Sequence, residues 1–473
     1  CGSGAFPMGA LHKICLALEK LDPNADWWKE QQVKLIPNAI AKKNLKEKLD
    51  KSTSDYARKF GVIQNSIYGV DIQPIAAEIS KLRSFLSLVI DENIDDEAEN
   101  RGIEPLPNLE FKFVTANTLI GLPEEQGQQV SMFDNFEQLE ELAQLRANYL
   151  QCSGDKKEKI KERFLKVQKK AFTNEHNLFA DQNSRSYKII SWNPFKNEPS
   201  SWFDPQWMFG VEKFDVVIGN PPYGVKLSSK EKTTYKKLYP ESQFKIDTYS
   251  LFVLKSLNIL IQDGVCTYII SNTLLDNYFE EEVRKKLLFN SEIIEINDLN
   301  DKVFNDAVVH SMIFMFKASK NKNYEIRVNT SDNLHGVVQN IPCSYFVNQS
   351  NHSFAIRSHK DKDLIDKLNV NSLPLEKVID IRQAIKSGND KVYVVDNKSK
   401  KNFKPIFRGK DIEKIRLKES GLYINYGKHL ACPRDYKIFE QPKILIREAG
   451  SKITAALDIT NSYVMSSLYN AIN

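Results

Sequence analysis

Two consecutive prolines, Pro221 and Pro222, follow the almost wholly apolar run Phe214–Gly219, with only Asn220 between run and prolines. A run of this kind is typical of a parallel strand that is buried on both faces. Proline fixes φ and has no N–H group, so the chain leaves the strand along one rigid path and the carbonyls of Asn220 and Pro221 remain free acceptors. The sequence therefore predicts an α/β fold in which a rigid loop, Asn220–Tyr223, follows a buried strand.

The other apolar runs alternate with helical patterns, and this order predicts a doubly wound sheet. We expect an amphipathic helix through Leu11 and Leu18 and a second helix from Pro74 to about Leu88. The other expected strands are Ser66–Asp71, Phe111–Val114, Gly264–Ile270 and His310–Phe316.

The basic residues are concentrated towards the C-terminal end of the chain. The whole chain has 66 Lys and Arg against 61 Asp and Glu, for a net charge of +5. Residues 380–473 have 18 against 10, or +8, which leaves −3 for the rest. From about residue 375 short β-rich runs also begin, so we expect a second domain there. Its charge is typical of a module that binds a polyanion, and a solvated basic face is the alternative.

The segment between the strands near 113 and 214 is far longer than an ordinary connection. Apolar residues such as Phe136 and Leu139, and Phe164 and Val167, repeat at helical spacing, which predicts a helical hairpin at the rim of the sheet. Its lysines either contact nucleic acid or form a solvated face. They include Lys156, Lys157, Lys159, Lys161, Lys169 and Lys170.

Composition excludes several classes of protein. The 6 cysteines form no C-x-x-C pair and have no histidine at ligand spacing, so neither structural zinc nor a disulfide framework is expected. No apolar run approaches the ~20 residues that cross a bilayer. Residues 1–20 show no signal-peptide pattern, and we expect a cytoplasmic protein.

Ligands of a doubly wound sheet bind at the carboxyl ends of its strands, and four such positions carry distinctive residues here, the fourth being the Asn220–Tyr223 loop. Cys1–Phe6 is a glycine loop leading into a helix, which lets the backbone pass close to a ligand. Asp71 is placed to accept hydrogen bonds from both hydroxyls of a ribose, and the amide of Asn117 to bond an adenine edge. Each also has a purely structural interpretation, as a glycine turn, a surface aspartate or a turn asparagine.

The Asn220–Tyr223 loop offers acceptors to an amino group. The Asn220 side-chain oxygen and the Pro221 carbonyl can accept both hydrogens of an exocyclic amino group such as adenine N6. This concentrates electron density on the nitrogen and turns it towards tetrahedral geometry for attack on a methyl group. Tyr223 supplies a ring on which a base can stack, worth about 1–3 kcal/mol. The alternative is a rigid loop without a ligand.

Four motifs in this order resemble the gamma group of N6-adenine DNA methyltransferases of restriction–modification systems: Cys1–Phe6, Tyr68–Asp71, Ala116–Leu119 and Asn220–Tyr223. The resemblance implies a doubly wound, Rossmann-like α/β methyltransferase sheet with a helical insertion, followed by a smaller β-rich α+β DNA-recognition domain. Related enzymes that methylate cytosine N4 usually have serine at the position of Asn220. The resemblance therefore favours adenine.

The resemblance also assigns residues to S-adenosylmethionine. Asp71 would hold the ribose hydroxyls, Ile72 would flank the adenine of the cofactor, and Asn117, where many relatives have aspartate, would bond the N6 of that adenine. The residues that would wrap the methionine part or line the pocket are Cys1, Gly2, Gly4, Phe6 and Phe252.

The same resemblance names the residues around the target base. Phe304, in a motif spanning 302–309, would pack against the flipped base, and a core phenylalanine is the alternative. The catalytic set is then Asn220, Pro221, Pro222, Tyr223 and Phe304, and no metal is expected.

The segments 380–390 and 403–412 are similar to the TaqI-like specificity domain, in which lysine and arginine bind phosphates of double-stranded DNA. The candidate contacts are Lys386, Lys391, Arg408, Lys410 and Arg447. The predicted domains are 1–330 for the methyltransferase, with the helical insertion at about 121–200, then a connecting segment 331–374, and 375–473 for part of the recognition domain.

The predicted function is site-specific transfer of a methyl group from S-adenosylmethionine to N6 of a flipped adenine in duplex DNA, in a restriction–modification or phage-defence system. In this family a strand ending Asp-Pro normally precedes the glycine loop, so we expect the chain to be a fragment. Three alternatives stay open: a bifunctional enzyme with an upstream nuclease domain, a non-catalytic DNA-recognition subunit, and methylation of RNA or of protein glutamine.

Overall fold

The computed structural model of the protein describes residues 1–34, 42–43, 46, 53–92, 96–97, 101, 107–123, 136–150, 152–172, 182–242, 245–299, 310–329, 338–355, 367–368, 370, 372–396, 403–450 and 452–473. These residues fall into two compact units, Cys1–Ile356 and Arg357–Asn473. The boundary lies inside the predicted connecting segment 331–374.

Helices separate most of the early strands of the first unit. They are α1 (Ala5–Leu21), α2 (Asp26–Lys34), α3 (Ser54–Asn65), α4 (Pro74–Val89), α5 (Phe136–Tyr149), α6 (Gly154–Phe172), α7 (Arg185–Ser191), α8 (Pro205–Phe209), α9 (Ser229–Leu238), α10 (Thr248–Ile259), α11 (Glu281–Asn290) and α12 (Cys343–Val347). The helix expected from Pro74 to about Leu88 is confirmed, with proline at its first position.

The strands of the first unit form a parallel pair and a six-stranded mixed sheet. They are β1 (Gly69–Asp71), β2 (Phe113–Thr115), β3 (Phe214–Gly219), β4 (Leu260–Ser271), β5 (Glu292–Leu299), β6 (Ser311–Lys317), β7 (Glu325–Asn329) and β8 (Val338–Pro342). β1 pairs with β2, and the larger sheet has the order β3-β4-β6-β5-β7-β8. Its β3–β4 and β5–β7 pairs are parallel and its other pairs are antiparallel. The predicted α/β fold is confirmed.

Strand β3 is less buried than its sequence predicts. It lies at an edge of its sheet, and the side chains of Val216 and Ile218 are 60% and 46% exposed. The expectation of burial on both faces is therefore wrong for the described residues. An apolar run reports the preference of its side chains, whereas their exposure depends on which elements pack over them.

The predicted helical hairpin is present as α5 and α6. Leu142 of α5 and Phe164 of α6 are fully buried in a core that also holds Trp202. Lys157 and Lys161 of this insertion form ion pairs within the unit. Lys157 Nζ lies 3.6 Å from a carboxylate oxygen of Glu110, and Lys161 Nζ lies 2.9 Å from one of Glu158.

The second unit is β-rich, as expected. Its strands are β9 (Asp380–Gln383), β10 (Val394–Val395), β11 (Phe403–Phe407), β12 (Ile412–Glu413), β13 (Arg416–Leu417), β14 (Tyr423–Asn425), β15 (Lys443–Arg447), β16 (Ala455–Asp458), β17 (Tyr463–Val464) and β18 (Leu468–Ile472). They form two four-stranded sheets, β10-β14-β11-β17 and β16-β15-β18-β9, and the hairpin β12-β13. The helical turn α13 (Asp390–Tyr393) precedes β10.

Among the described helices, none combines the length and the apolar content that a membrane span requires. The cytoplasmic location stays a prediction.

Candidate active site

The Asn220–Tyr223 loop follows β3 and is held by the start of α10. The Thr248 hydroxyl donates a hydrogen bond to the Pro222 carbonyl. The backbone N–H of Gly224 donates to Asp247 Oδ1 at 3.1 Å. Gly224 has a φ of 70°, which favours glycine there. The hydrogen bonds at Pro222 and Gly224 thus hold the loop in the path that the two prolines set.

The two acceptors predicted from the sequence have no donor among the residues that the structure describes. Asn220 is exposed and Pro221 is buried. Among the described residues, neither the Asn220 carboxamide nor the Pro221 carbonyl takes part in a hydrogen bond, whereas the next carbonyl, that of Pro222, does. The loop therefore carries two neighbouring acceptors that have no hydrogen-bond partner in the described part of the chain.

Tyr223 is half-buried and packs against the core of the six-stranded sheet. Its hydroxyl lies 3.4 Å from the Ser311 hydroxyl at the start of β6. One edge of the ring is thereby fixed, which prepares a stacking surface at low entropic cost.

A polar group follows β4, the parallel neighbour of β3, and sequence reasoning missed it. The Ser271 and Thr273 hydroxyls are 2.8 Å apart, and Thr273 also bonds the Tyr249 hydroxyl at 3.0 Å. Asn272 Nδ2 donates to Asp298 Oδ1 at 3.4 Å. Burial raises the pKa of Asp298, against the opposing bond from Asn272. The signal was a polar Ser-Asn-Thr triplet that directly follows a predicted strand.

The glycine loop at Cys1–Gly4 forms an uncapped helix start. Gly4 precedes α1, has a φ of 87° and provides no side-chain cap. A Cβ on Gly4 would lie 3.1 Å from Ser80 of α4, so the loop needs glycine to pack there. Gly4 thus leaves the first N–H groups of α1 without a side-chain cap, and a helix N-terminus favours a negatively charged group.

Asp71, at the end of β1, joins this loop to the sheet. Its Oδ2 accepts from the Gly2 N–H at 2.7 Å, and its Oδ1 accepts from the Gln73 N–H at 2.9 Å. Burial raises the pKa of Asp71, whereas the hydrogen bonds from the Gln73 and Gly2 N–H groups lower it. The pKa therefore lies below its usual value, and the group is a carboxylate at neutral pH.

The other predicted cofactor residues have different surroundings. The side chain of Ile72 is 59% exposed beside Asp71, as a surface for a flat ring requires. Phe6 is half-buried in the first turn of α1, and Phe252 packs against the core of the six-stranded sheet. Asn117 follows β2, and its Nδ2 donates to the Tyr235 hydroxyl at 3.3 Å. Phe304 lies outside the described residues.

In the second unit the five basic candidates have different surroundings. Lys386 and Arg408 line a cleft of about 500 Å³ together with Ser387 and Ser467. Arg408 also forms an ion pair with Asp390 at 3.4 Å. The candidates that are exposed to solvent are Lys386, Lys391 and Lys410.

Arg447 is different, because its guanidinium binds the main chain of its own unit. It donates to the Gly409 carbonyl at 2.8 Å and to the Ile412 carbonyl. It therefore stabilises the turn that carries Lys410.

Relatives of known class share part of the chain. A chain of Methanocaldococcus jannaschii that carries the name of a type II restriction enzyme and methyltransferase is 28% identical over 326 residues, which cover 57% of this chain and 27% of that one. The type II methyltransferase M.BanIII of Aneurinibacillus aneurinilyticus is 31% identical over 132 residues, 27% of this chain and 22% of its own. The chain spans about a quarter of the length of the curated relatives it matches.

Solved structures give a weaker likeness. The type IIL restriction-modification enzyme MmeI in complex with DNA aligns over 98% of this chain and 62% of its own, with 13% identity and a TM-score of 0.43.

Two family models match the chain. Residues 404–473 match the TaqI-like C-terminal specificity domain. Residues 65–304, about half of the chain, match the Eco57I restriction-modification methylase. They include Asp71, Asn117 and the Asn220–Tyr223 loop. The protein therefore belongs to the Eco57I restriction-modification methylase family.

Proposed function

We propose that this chain is the catalytic part of an enzyme that transfers a methyl group from S-adenosylmethionine to N6 of adenine in duplex DNA, within a restriction–modification system. The observation that carries the proposal is a pair of acceptors, the Asn220 carboxamide and the Pro221 carbonyl, that form no hydrogen bond with any described residue. The loop that carries them is anchored at Pro222 and Gly224. Two adjacent acceptors match the two hydrogens of an amino group.

The chain has the donor and acceptor groups that S-adenosylmethionine requires. The uncapped start of α1 suits the methionine carboxylate, and the Asp71 carboxylate suits the ribose hydroxyls. The exposed Ile72 side chain suits one face of the adenine ring. When bound, this cofactor supplies a methyl group that its sulfonium has already activated.

The protein residues then act by positioning. A target adenine that leaves the duplex, at a cost of a few kcal/mol, would stack on Tyr223 and donate its two N6 hydrogens to Asn220 Oδ1 and the Pro221 carbonyl. Both bonds draw the nitrogen out of conjugation with the ring and raise its nucleophilicity. Because orientation supplies most of the rate, the scheme needs no strong base beside the nitrogen.

The second unit supports DNA as the substrate. Its match to a specificity domain and its +8 charge over residues 380–473 suit a module that binds phosphates and reads bases. The same match disfavours RNA or protein glutamine as the acceptor.

The test is methyl transfer by the intact protein, with the product nucleosides separated by mass spectrometry. Wild type should yield N6-methyladenine, and Asn220→Ala should lower the single-turnover rate by about 100-fold or more, in line with the loss of one oriented transition-state contact. Asn258→Ala, which removes an exposed asparagine on α10, is the matched control and should keep the rate. N4-methylcytosine as the product, or normal transfer by Asn220→Ala, would contradict the proposal.

A second candidate is suggested by the names of two relatives. The chains from Methanocaldococcus jannaschii and Escherichia coli are named as restriction enzymes as well as methyltransferases, and the shared residues cover 27% and 12% of them. We propose that this chain is the methylase part of such a bifunctional protein. DNA cleavage by the product of the intact gene would support this, and cleavage that occurs only with a separate protein would oppose it.

A non-catalytic recognition subunit is the remaining rival. It should release no heat on titration with S-adenosylmethionine, whereas the proposed enzyme should bind it.

A further inference from the structure

Two buried tyrosines, one in α9 and one directly after it, form hydrogen bonds with the turn that follows β2. Tyr235 and Tyr239 are 4% and 5% exposed, and their spacing of four residues places them on one side of the helix. The Tyr235 hydroxyl accepts a hydrogen bond from Asn117 Nδ2 at 3.3 Å. The Tyr239 hydroxyl donates one to the Leu119 carbonyl at 2.7 Å.

These contacts hold the Asn117 carboxamide at both ends. Its Oδ1 accepts from the Leu119 N–H at 3.1 Å, while its Nδ2 donates to Tyr235. The backbone N–H of Asn117 is bonded as well, to the Ser200 carbonyl at 2.9 Å. The carboxamide therefore has one orientation, and a ligand meets one remaining N–H and one remaining lone pair.

The helix that carries Tyr235 is itself fixed. Ser228 caps it reciprocally with Glu231, since the Ser228 N–H donates to Glu231 Oε2 at 2.8 Å and the Glu231 N–H donates to the Ser228 hydroxyl at 3.3 Å. Tyr235 and Tyr239 belong to the same core as Leu119. The two hydroxyls are thus presented by a rigid element.

Burial, and after it the neighbouring Tyr235, raise the pKa of Tyr239, so its hydroxyl is protonated and remains a donor near neutral pH. The bond to Leu119 therefore does not depend on pH near neutrality.

We propose that Tyr235 and Tyr239 are positioning residues for the cofactor: together they fix the Asn117 turn, and Tyr235 orients the carboxamide that recognises the adenine ring. The inference rests on the proposed function, because it takes the ligand beside Asn117 to be S-adenosylmethionine. Tyr235 determines which ring the site prefers, and Tyr239 determines where the turn lies.

The experiment measures binding to the intact protein by calorimetry. The probes are S-adenosylhomocysteine and S-inosylhomocysteine, which differ in the groups at ring positions 1 and 6. Wild type should prefer the adenine ring. Tyr235→Phe should reduce this preference by about three- to tenfold, the usual effect of one hydrogen bond. Tyr239→Phe should weaken both probes by a similar factor and leave the preference unchanged.

Tyr324→Phe is the matched control. Tyr324 packs against the same core, and its hydroxyl bonds the Ser291 carbonyl at 3.3 Å, away from Asn117. It should lower the melting temperature as the other two variants do, with affinity and preference retained. If wild type binds neither probe, the proposed function fails. If wild type prefers adenine and Tyr235→Phe keeps the full preference, only the positioning role is overturned.

Discussion

The Thr248 hydroxyl donates a hydrogen bond to the Pro222 carbonyl, and so ties the start of α10 to the loop that follows β3. Pro222 lies next to the acceptor carbonyl of Pro221, so any movement of Pro222 displaces that acceptor. We expect Thr248→Val, which keeps the shape and removes the hydroxyl, to lower the single-turnover methylation rate by about three- to tenfold. The affinities for cofactor and DNA should not change.

Thr233→Val is the control for this prediction. The Thr233 hydroxyl also bonds a main-chain carbonyl, that of Ser229 at 3.0 Å, but it lies on the exposed side of α9. Its rate should equal that of wild type. A Thr248→Val enzyme with an unchanged rate would show that the two prolines fix the loop without help.

Asp71 provides the second prediction. Its carboxylate accepts from the N–H groups of Gly2 and Gln73, so the amide of Asp71→Asn would place an NH₂ group against a donor. We expect cofactor affinity to fall by about 10- to 100-fold, because charge-assisted bonds are lost and the glycine loop is released. Calorimetry would measure this, with the exposed Asp155→Asn as the control.

The sign of the Asp71 pKa shift also fixes a pH dependence. The folded pKa lies below the unfolded one, so the contribution of this group to stability is complete above the unfolded value and is lost as the pH falls through the folded value. Cofactor affinity of wild type should therefore be flat from about pH 6 to 8. A titration of affinity centred in that window would contradict the ionised state of Asp71.

Local patterns predicted the acceptor loop but not its supports. The bounds of β3 were predictable, because an apolar run ends where Pro221 and Pro222 begin. Tyr235 was not, because a tyrosine at helical spacing looks like a core residue and its partner Asn117 lies 118 positions away. The exposure of Val216 depends on packing between elements, which no local pattern reports.

The charge pattern of the sequence was limited in a similar way as a predictor of DNA contacts. Lys386 and Arg447 have equal standing in the sequence as candidate DNA contacts. The structure directs the Arg447 guanidinium to two main-chain carbonyls and leaves Lys386 exposed. Composition predicts how many charges a domain has, whereas tertiary contacts decide which of them face solvent.

Lys112 provides the third prediction. It is 8% exposed, and its Nζ lies 4.0 Å above the centre of the Tyr68 ring. Among the described residues it has no carboxylate in ion-pair distance, and burial lowers its pKa to about 7. The folded pKa is thus below the unfolded one, so between about pH 7 and 10.5 the unfolded chain holds the extra proton and stability rises with pH.

Replacing Lys112 by methionine should remove the free-energy cost of burying its positive charge. We expect Lys112→Met to raise the free energy of unfolding by about 2–4 kcal/mol at pH 7, and the gain should shrink as the pH approaches 10. Urea unfolding at pH 7, 8 and 9.5 would measure it. The exposed Lys13→Met should show no gain at any pH. A gain for Lys112→Met that stays constant with pH would mean that packing, and not charge, is its cause.

The cleft of the second unit that Lys386 and Arg408 line provides the last prediction. Lys386 is exposed there beside Arg408, so we expect Lys386→Ala to weaken DNA binding at every sequence and to reduce the slope of log affinity against log salt by about 1. Arg447→Ala should leave that slope unchanged and lower the melting temperature, because the carbonyls of Gly409 and Ile412 lose their donor. Fluorescence anisotropy at several salt concentrations would measure both slopes. Equal slope changes for the two variants would place Arg447 at the phosphates.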